Sequence, residues 1–187
     1  MSGQVDVVGL GDQQRLLRLA RQALEARVRG EPPPPVEQGG AMELPCGAFV
    51  TIHCRGQLRG CLGRIETSSP LVETILDLAE SVADSDPRFE PVAVIELHAI
   101  DIEISVLTPE REVRSIAEVE PGRHGLIVEQ GARRGLLLPQ VAIEQGWDRE
   151  TFVSYTCRKA TLAPDAWLRG ARLFVFEAQV FGELGQA

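Results

Sequence analysis

Leu58-Arg59-Gly60-Cys61-Leu62-Gly63 sets an arginine, a thiol and two glycines in one short apolar run, and its flanks decide the fold. Upstream, Ala48 to Cys54 (AFVTIHC) alternates and is rich in aromatic and β-branched residues, the pattern of a half-buried strand. Arg55-Gly56-Gln57 is the turn, and Leu58 to Ile65 is the returning strand. Hairpin register then decides what surrounds Cys61, because a one-residue slip exchanges the two faces. A two-residue loop at Gly56-Gln57 sets Cys61 opposite Ile52, on the face of Arg59 and Cys54. A three-residue loop sets it opposite Thr51, on the face of Arg59 and His53. Both place Arg59 beside Cys61, and a neighbouring guanidinium favours the thiolate, the reactive form of cysteine. Gly60 and Gly63 leave room for a ligand or a second backbone. The plainer alternative is a buried thiol on a bulged strand, with Arg59 a surface charge.

Before the hairpin, Asp12 stands as an N-cap, and Leu17, Ala20, Leu24 and Val28 recur at helical spacing up to Gly30. Glu31 to Gly40 contains four consecutive prolines and reads as an extended, exposed linker. Residues 1–40 are therefore assigned to an N-terminal helix and linker, and residues 41–187 to the main domain.

Beyond the hairpin, Pro70 opens a helix whose buried stripe is Leu71, Ile75, Leu78, Ala79 and Val82, and Asp86-Pro87 stops it. Val92 to Leu97 suits a short helix or a strand. Ile100 to Leu107 alternates cleanly, with Asp101, Glu103 and Ser105 on the polar face. Glu103 is thus either a ligand-binding carboxylate on a rigid strand or part of a solvated outer face. A turn at Thr108-Pro109 and a short helix at Ile116 to Glu120 lead to a second hairpin around Gly131, with strands Gly125 to Glu129 and Arg134 to Leu138. A short helix from Pro139, a helix capped by Asp148 and running to Lys159, and one closing strand from Arg172 to Phe181 complete the chain. The elements lack a βαβ rhythm, so the fold class is α+β, a mostly antiparallel sheet flanked by helices, plus the N-terminal helix.

The 187 residues, 44% hydrophobic and 25% charged, suffice for a sizeable core. A net charge of -8 and 5% aromatic content argue against nucleic acid as the partner, although Arg111, Arg114, Arg123, Arg133 and Arg134 crowd one region. The cysteines Cys46, Cys54, Cys61 and Cys157 form no CxxC pair, and no signal-peptide pattern precedes them, which points to free thiols in the cytoplasm. No apolar run reaches the roughly 18 residues that a membrane span needs.

His53, His98 and His124 match no zinc spacing, and the glycine-rich nucleotide motifs and the serine elbow are missing, so neither metal nor cofactor is expected. What remains is a thiol with a base brought to it by the fold. His124, at the mouth of the second hairpin, is the first choice for that base or else a turn residue. His53 is the second choice, available only in the three-residue register. Arg88, on a proline-anchored turn, suits bidentate capture of a carboxylate or phosphate, or else binds helix carbonyls or Asp86. Gln140 follows Pro139 at a helix start, where free N–H groups attract anions. Cys157 lies among Phe152, Val153 and Leu162 and reads as core.

The LRGCLG run resembles the LRGCIG signature of the AMMECR domain family. Further stretches resemble it in the same order: Asp86-Pro87-Arg88-Phe89, Ile104-Ser105-Val106-Leu107, His124-Gly125-Leu126-Ile127, Leu138-Pro139-Gln140-Val141 with Trp147, and Cys157-Arg158-Lys159-Ala160. The resemblance spans Gly47 to Glu183. It implies an α+β domain of two unequal lobes with a cleft between them, and an association with Memo-like and radical SAM proteins, but no single settled reaction. The chain departs from the family at Thr161, where Lys-Ala-Gly-Leu is usual, so a helix end that depends on glycine is expected to differ here. Two functions follow. One is an enzyme or enzyme component using Cys61 and His124 on a small anionic substrate held by Arg59, Gly60, Arg88, Glu103 and Gln140. The other is a non-catalytic interaction module for a Memo-like partner.

Overall fold

The period-two run at 48–54 and its return pair as the hairpin on which the first sheet is built. The structure is a computed structural model that describes residues 7–65 and 68–184. Residues 1–6 of the assigned N-terminal segment lie outside the described residues. In chain order the elements are α1 (Leu10–Arg29), β1 (Ala48–Cys54), β2 (Gln57–Arg64), α2 (Leu71–Ser81), β3 (Ile100–Leu107), β4 (Arg111–Val113), β5 (Gly125–Gln130), β6 (Arg133–Leu137), α3 (Pro139–Glu144), α4 (Arg149–Lys159), β7 (Arg172–Phe176) and β8 (Ala178–Gly182). They form two four-stranded sheets, ordered β2-β1-β3-β8 and β4-β7-β5-β6. The chain divides into one unit of residues 1–107 with 179–187 and a second of residues 108–178. The fold is α+β, and β1 pairs antiparallel with both β2 and β3.

In the first unit, the inward faces of β1 and β3 supply Ala48, Val50, Ile52, Ile100, Ile102, Ile104 and Val106 to one apolar cluster. Leu16, Leu19, Ala20, Ala23 and Leu24 of α1 and Leu71, Ile75, Leu78 and Ala79 of α2 complete it. Burying a side chain such as Leu16 is worth about 2 kcal/mol relative to exposure, so α1 is held by its stripe rather than by propensity. Helix α1 starts at Leu10 with Gly9 as its cap, so Asp12 is not the N-cap the sequence suggested. Its carboxylate instead accepts from the Ala41 N–H and pairs with Arg15. The proline segment is tied back to the same helix, because Arg15 and Arg18 both donate to Glu37.

The second unit has its own core of Val113, Val119, Leu126, Val128, Phe152, Val153, Cys157, Leu173 and Val175. Asp148 caps α4 as read from the sequence, its side chain accepting from the Thr151 N–H. The expected single strand from 172 to 181 is two strands broken at Glu177. Strand β7 lies between β4 and β5, whereas β8 lies beside β3 in the other sheet. Its apolar residues fall on both faces because Leu173 and Val175 enter one core and Phe181 the other. The ambiguous stretch at 92–97 becomes a 3-10 turn, Val94–Ala99.

Despite Thr161, the glycine-type helix end is kept, against the expectation from the sequence. Helix α4 ends with Leu162 N–H bonded to Cys157 O and Thr161 N–H to Arg158 O, the double closure that favours glycine in the left-handed position. Gly30 fills that position after α1 with φ 68°, but after α4 it falls to Thr161 with φ 59°. A β-branched residue there is strained by about 1–2 kcal/mol. Thr161→Gly is therefore expected to stabilise the protein by about 1 kcal/mol after the entropic cost of glycine, read as a higher denaturation midpoint at unchanged m-value.

Candidate functional site

Strands β1, β2 and β3 bring Cys61 and Glu103 to one face. The register sets Thr51 opposite both Cys61 and Glu103, and His53 opposite Asp101. Residues directly opposite share a face, so Cys61, Thr51 and Glu103 form one cross-strand row, with His53 and Asp101 in the next. This is the outward face, opposite the one that carries Val50, Ile52 and Ile104 into the core.

The hairpin reaches this register by neither loop considered from the sequence. The tight turn is Arg55-Gly56, with φ 53° and 77°, and Cys54 pairs with Gln57. A bulge then skips Arg59, so that His53 faces Leu58 and Ile52 faces Gly60. Cys61 ends opposite Thr51, as a three-residue loop would have placed it. Gly60 lies on the core face, where an added Cβ would meet Val82 Cγ2 at 2.9 Å and Ile52 Cγ1 at 3.2 Å. Gly63 lies under the Phe49 ring, whose Cδ1 would be 2.1 Å from an added Cβ. Both glycines therefore serve close packing, Gly60 against the end of α2 and Gly63 against the neighbouring strand.

Cys61 is half-buried and held from both sides. Its Sγ accepts a hydrogen bond from Thr51 Oγ1 at 3.2 Å. Its N–H donates to Asp86 Oδ2 at 2.9 Å, and its carbonyl accepts from Arg88 Nη2 at 3.2 Å. Strand β2 is at the edge of its sheet, so these are the groups an edge strand would leave unpaired. Asp86, only 5% exposed, also accepts from Arg88 N, Nε and Nη2. The Arg88 guanidinium, together with the Cys61 and Arg88 N–H groups, holds this carboxyl far below the usual carboxylate range. Arg88 is itself 55% exposed, and its Nη1 takes no acceptor among the described residues.

Arg59 is engaged elsewhere. It forms a bidentate pair with Glu96, Nε to Oε1 at 2.8 Å and Nη2 to Oε2 at 3.1 Å, and donates to the carbonyls of Glu90 and Pro91. The guanidinium bonded to the Cys61 residue is thus that of Arg88. Asp86, Glu96 and Thr51 are participants the sequence did not single out as site residues. The Asp-Pro-Arg turn was the one available sign of an acceptor poised for an edge N–H.

His124 and Gln140 belong to the second unit. His124 is 5% exposed; its Nδ1 accepts from the Glu120 N–H at 3.1 Å, and its Nε2 lies 3.8 Å from Glu177 Oε1. Burial pushes its pKa below the usual histidine range, against the pull of Glu120 and Glu177. The ring closes the turn at 120–124, the turn reading weighed for it from the sequence. Gln140 is exposed at the start of α3. Cys46 and Cys157 are buried, and burial raises both thiols. Among the described residues no group of three or more His, Cys, Asp or Glu side chains is placed to hold a metal ion, and no helix is long and apolar enough to cross a membrane.

Cys61 and the Asp86 and Arg88 groups that hold its peptide come from LRGCLG and DPRF, two of the stretches on which the resemblance rests, and Thr51 comes from the strand before them. A family model described as AMMECR1 matches residues 17–181. The chain belongs to the AMMECR1 family. It is 45% identical over 179 residues to a protein of Methanothermobacter thermautotrophicus, covering 91% of this chain and 93% of that one. A protein of Methanosarcina mazei is 46% identical over 177 residues, covering 89% of each chain. The crystal structure of an uncharacterized protein from Pyrococcus horikoshii matches with a TM-score of 0.78 at 38% identity, over 96% of this chain and 95% of that one. The AMMECR1-family match thus covers α2 and every strand of both sheets up to Phe181 of β8.

Proposed function

We propose that this AMMECR1-family chain is an enzyme, or a component of one, in which the Cys61 thiolate acts on a small anionic substrate in a cytoplasmic pathway shared with Memo-like and radical SAM proteins. The observation that carries the reading is the fixed, half-buried sulfur, which accepts from Thr51 Oγ1 while both peptide groups of Cys61 are held by Asp86 and Arg88. A sulfur held in one orientation is ready for nucleophilic or acid–base work. Arg88, through the unengaged Nη1, supplies the anchor for an anion. Glu103, in the same row as Thr51 and Cys61, supplies a proton acceptor for that face.

Alkylation of the native protein, read cysteine by cysteine by mass spectrometry, tests this. Cys61 is expected to react at neutral pH at least about tenfold faster than Cys46 and Cys157, and Thr51→Val is expected to slow it. Protection of Cys61 until the protein unfolds would remove the reacting group. The interaction-module reading would then stand, favoured by Val94 and Ile95, which are 58% and 78% exposed on a turn that Arg59 pins through Glu96.

A further inference from the structure

The second unit contains a cavity of about 550 Å³ where β4 leaves the sheet, lined by Glu112, Arg114, Ser115, Trp167, Leu168 and Arg172 among others. That volume is within the range of small-molecule sites. Its polar lining is unbalanced. Glu112 is taken by Arg172, with Oε1 accepting from Nε at 2.8 Å and Oε2 from Nη2 at 3.0 Å. Arg172 in turn lies over the Phe174 ring, 4.8 Å from its centroid. The Arg114 guanidinium acts on Glu112 through its charge but hydrogen-bonds to no acceptor among the described residues, and neither does Trp167 Nε1. Ser115 Oγ accepts from the Ala117 N–H, and its own proton has no acceptor among the described residues. The lining thus offers donors without matching acceptors, and one cation in excess of its carboxylate.

The apolar part of the lining is as specific. Trp167 is half-buried and packs against the core of this unit, which fixes its ring. Leu168 beside it is 67% exposed, an apolar side chain in the lining. Fixed aromatic and aliphatic walls with a few convergent donors are the usual construction of a site for an organic anion.

We propose that this cavity binds a small carboxylate or phosphate ester with a planar apolar body, its anion held by Arg114 and Trp167 Nε1 and its body packed against the Trp167 ring and Leu168. The site is independent of Cys61. A guanidinium supplies charge-assisted hydrogen bonds to either anion, and a bound body would cover Leu168.

Benzoate and phenyl phosphate, with benzamide as the uncharged control, test the proposal by saturation-transfer NMR and by Trp167 fluorescence in a Trp147→Phe background. At least one anion is expected to bind saturably with a Kd of order 1 mM and benzamide about tenfold more weakly, and the stronger of the two anions names the ligand class. Arg114→Gln should weaken the anion about tenfold at an unchanged melting temperature, and Leu168→Asp should abolish the signal. The proposal is overturned if neither anion saturates by about 10 mM, if benzamide binds equally well, or if Arg114→Gln binds as the wild type does.

Discussion

Gly135→Ala is expected to destabilise the protein by about 3 kcal/mol or more. Gly135 is buried in β6 opposite Val128, and an added Cβ would lie 2.2 Å from Ala160 N, 2.5 Å from Ala160 Cα and 2.6 Å from Lys159 C. These are backbone atoms, so no side-chain rotation relieves the clash. Nor can the end of α4 retreat freely, because it is closed by the Leu162–Cys157 and Thr161–Arg158 hydrogen bonds and tethered by Arg133, which donates to Thr161 O. Either β6 leaves β5 or α4 leaves the sheet, and overpacking without relief belongs to the costly class of core substitutions. The control is Gly11→Ala in α1, where nothing lies within 4 Å of an added Cβ. It should be neutral or stabilising by up to about 1 kcal/mol. Denaturant titrations of the two variants check both signs, and a Gly135→Ala midpoint close to that of the wild type would show that α4 does not approach β6 this closely.

The fold was legible wherever one pattern served one core. The alternation of Ile100, Ile102, Ile104 and Val106 named β3 and its buried face, and the stripe from Leu71 to Val82 named α2, because each element packs against a single surface. Legibility failed where tertiary structure chose among local options. Arg172 to Phe181 looked like one strand because apolar residues on both faces mean the same thing in sequence whether one strand is sandwiched or two strands serve two cores. Strand β4, three residues long, has no room for a period. The site divides in the same way. That Cys61 sits on a hairpin could be read from AFVTIHC and its return, but the bulge at Arg59 could not, since what holds Arg59 is Glu96 and the carbonyls of Glu90 and Pro91, over 30 residues away. Arg88 was picked out for its rigid turn, and Glu103 for its place on a polar strand face. That Glu103 shares a cross-strand row with Thr51 and Cys61 depends on register, and that Arg88 reaches Cys61 depends on Asp86, an acidic residue whose importance comes from being buried.

Asp86 should be the most pH-revealing residue of the site. Asp86→Asn keeps the shape but turns an amide donor toward Arg88 or the Cys61 N–H, which removes charge-assisted bonds and leaves a donor at the strand edge poorly matched. A loss of about 2–4 kcal/mol at pH 7 is expected from one buried donor left unsatisfied and one lost interaction with a charged partner. The sign of its pH dependence follows from the depressed carboxyl: the folded state holds the proton less tightly than the unfolded chain, whose Asp titrates near 3.9. The stabilisation is therefore fully present above about pH 5 and declines as the pH falls through and below about 4. Wild type and Asp86→Asn should differ by a constant amount from pH 7 to 5, and their stabilities should converge in more acid solution. Arg88→Ala gives the complementary outcome: it leaves Asp86 buried with only the N–H groups of positions 61 and 88 to receive it, which raises the folded-state carboxyl toward its unfolded value, so the variant should be less stable at pH 7 and lose less of its stability in acid than the wild type does. If Asp86→Asn matches the wild type at pH 7, the clamp does not hold the edge of β2. The orientation of Cys61 would then rest on its pairing with Thr51 alone, and alkylation of Cys61 should be equally fast in the wild type and the variant.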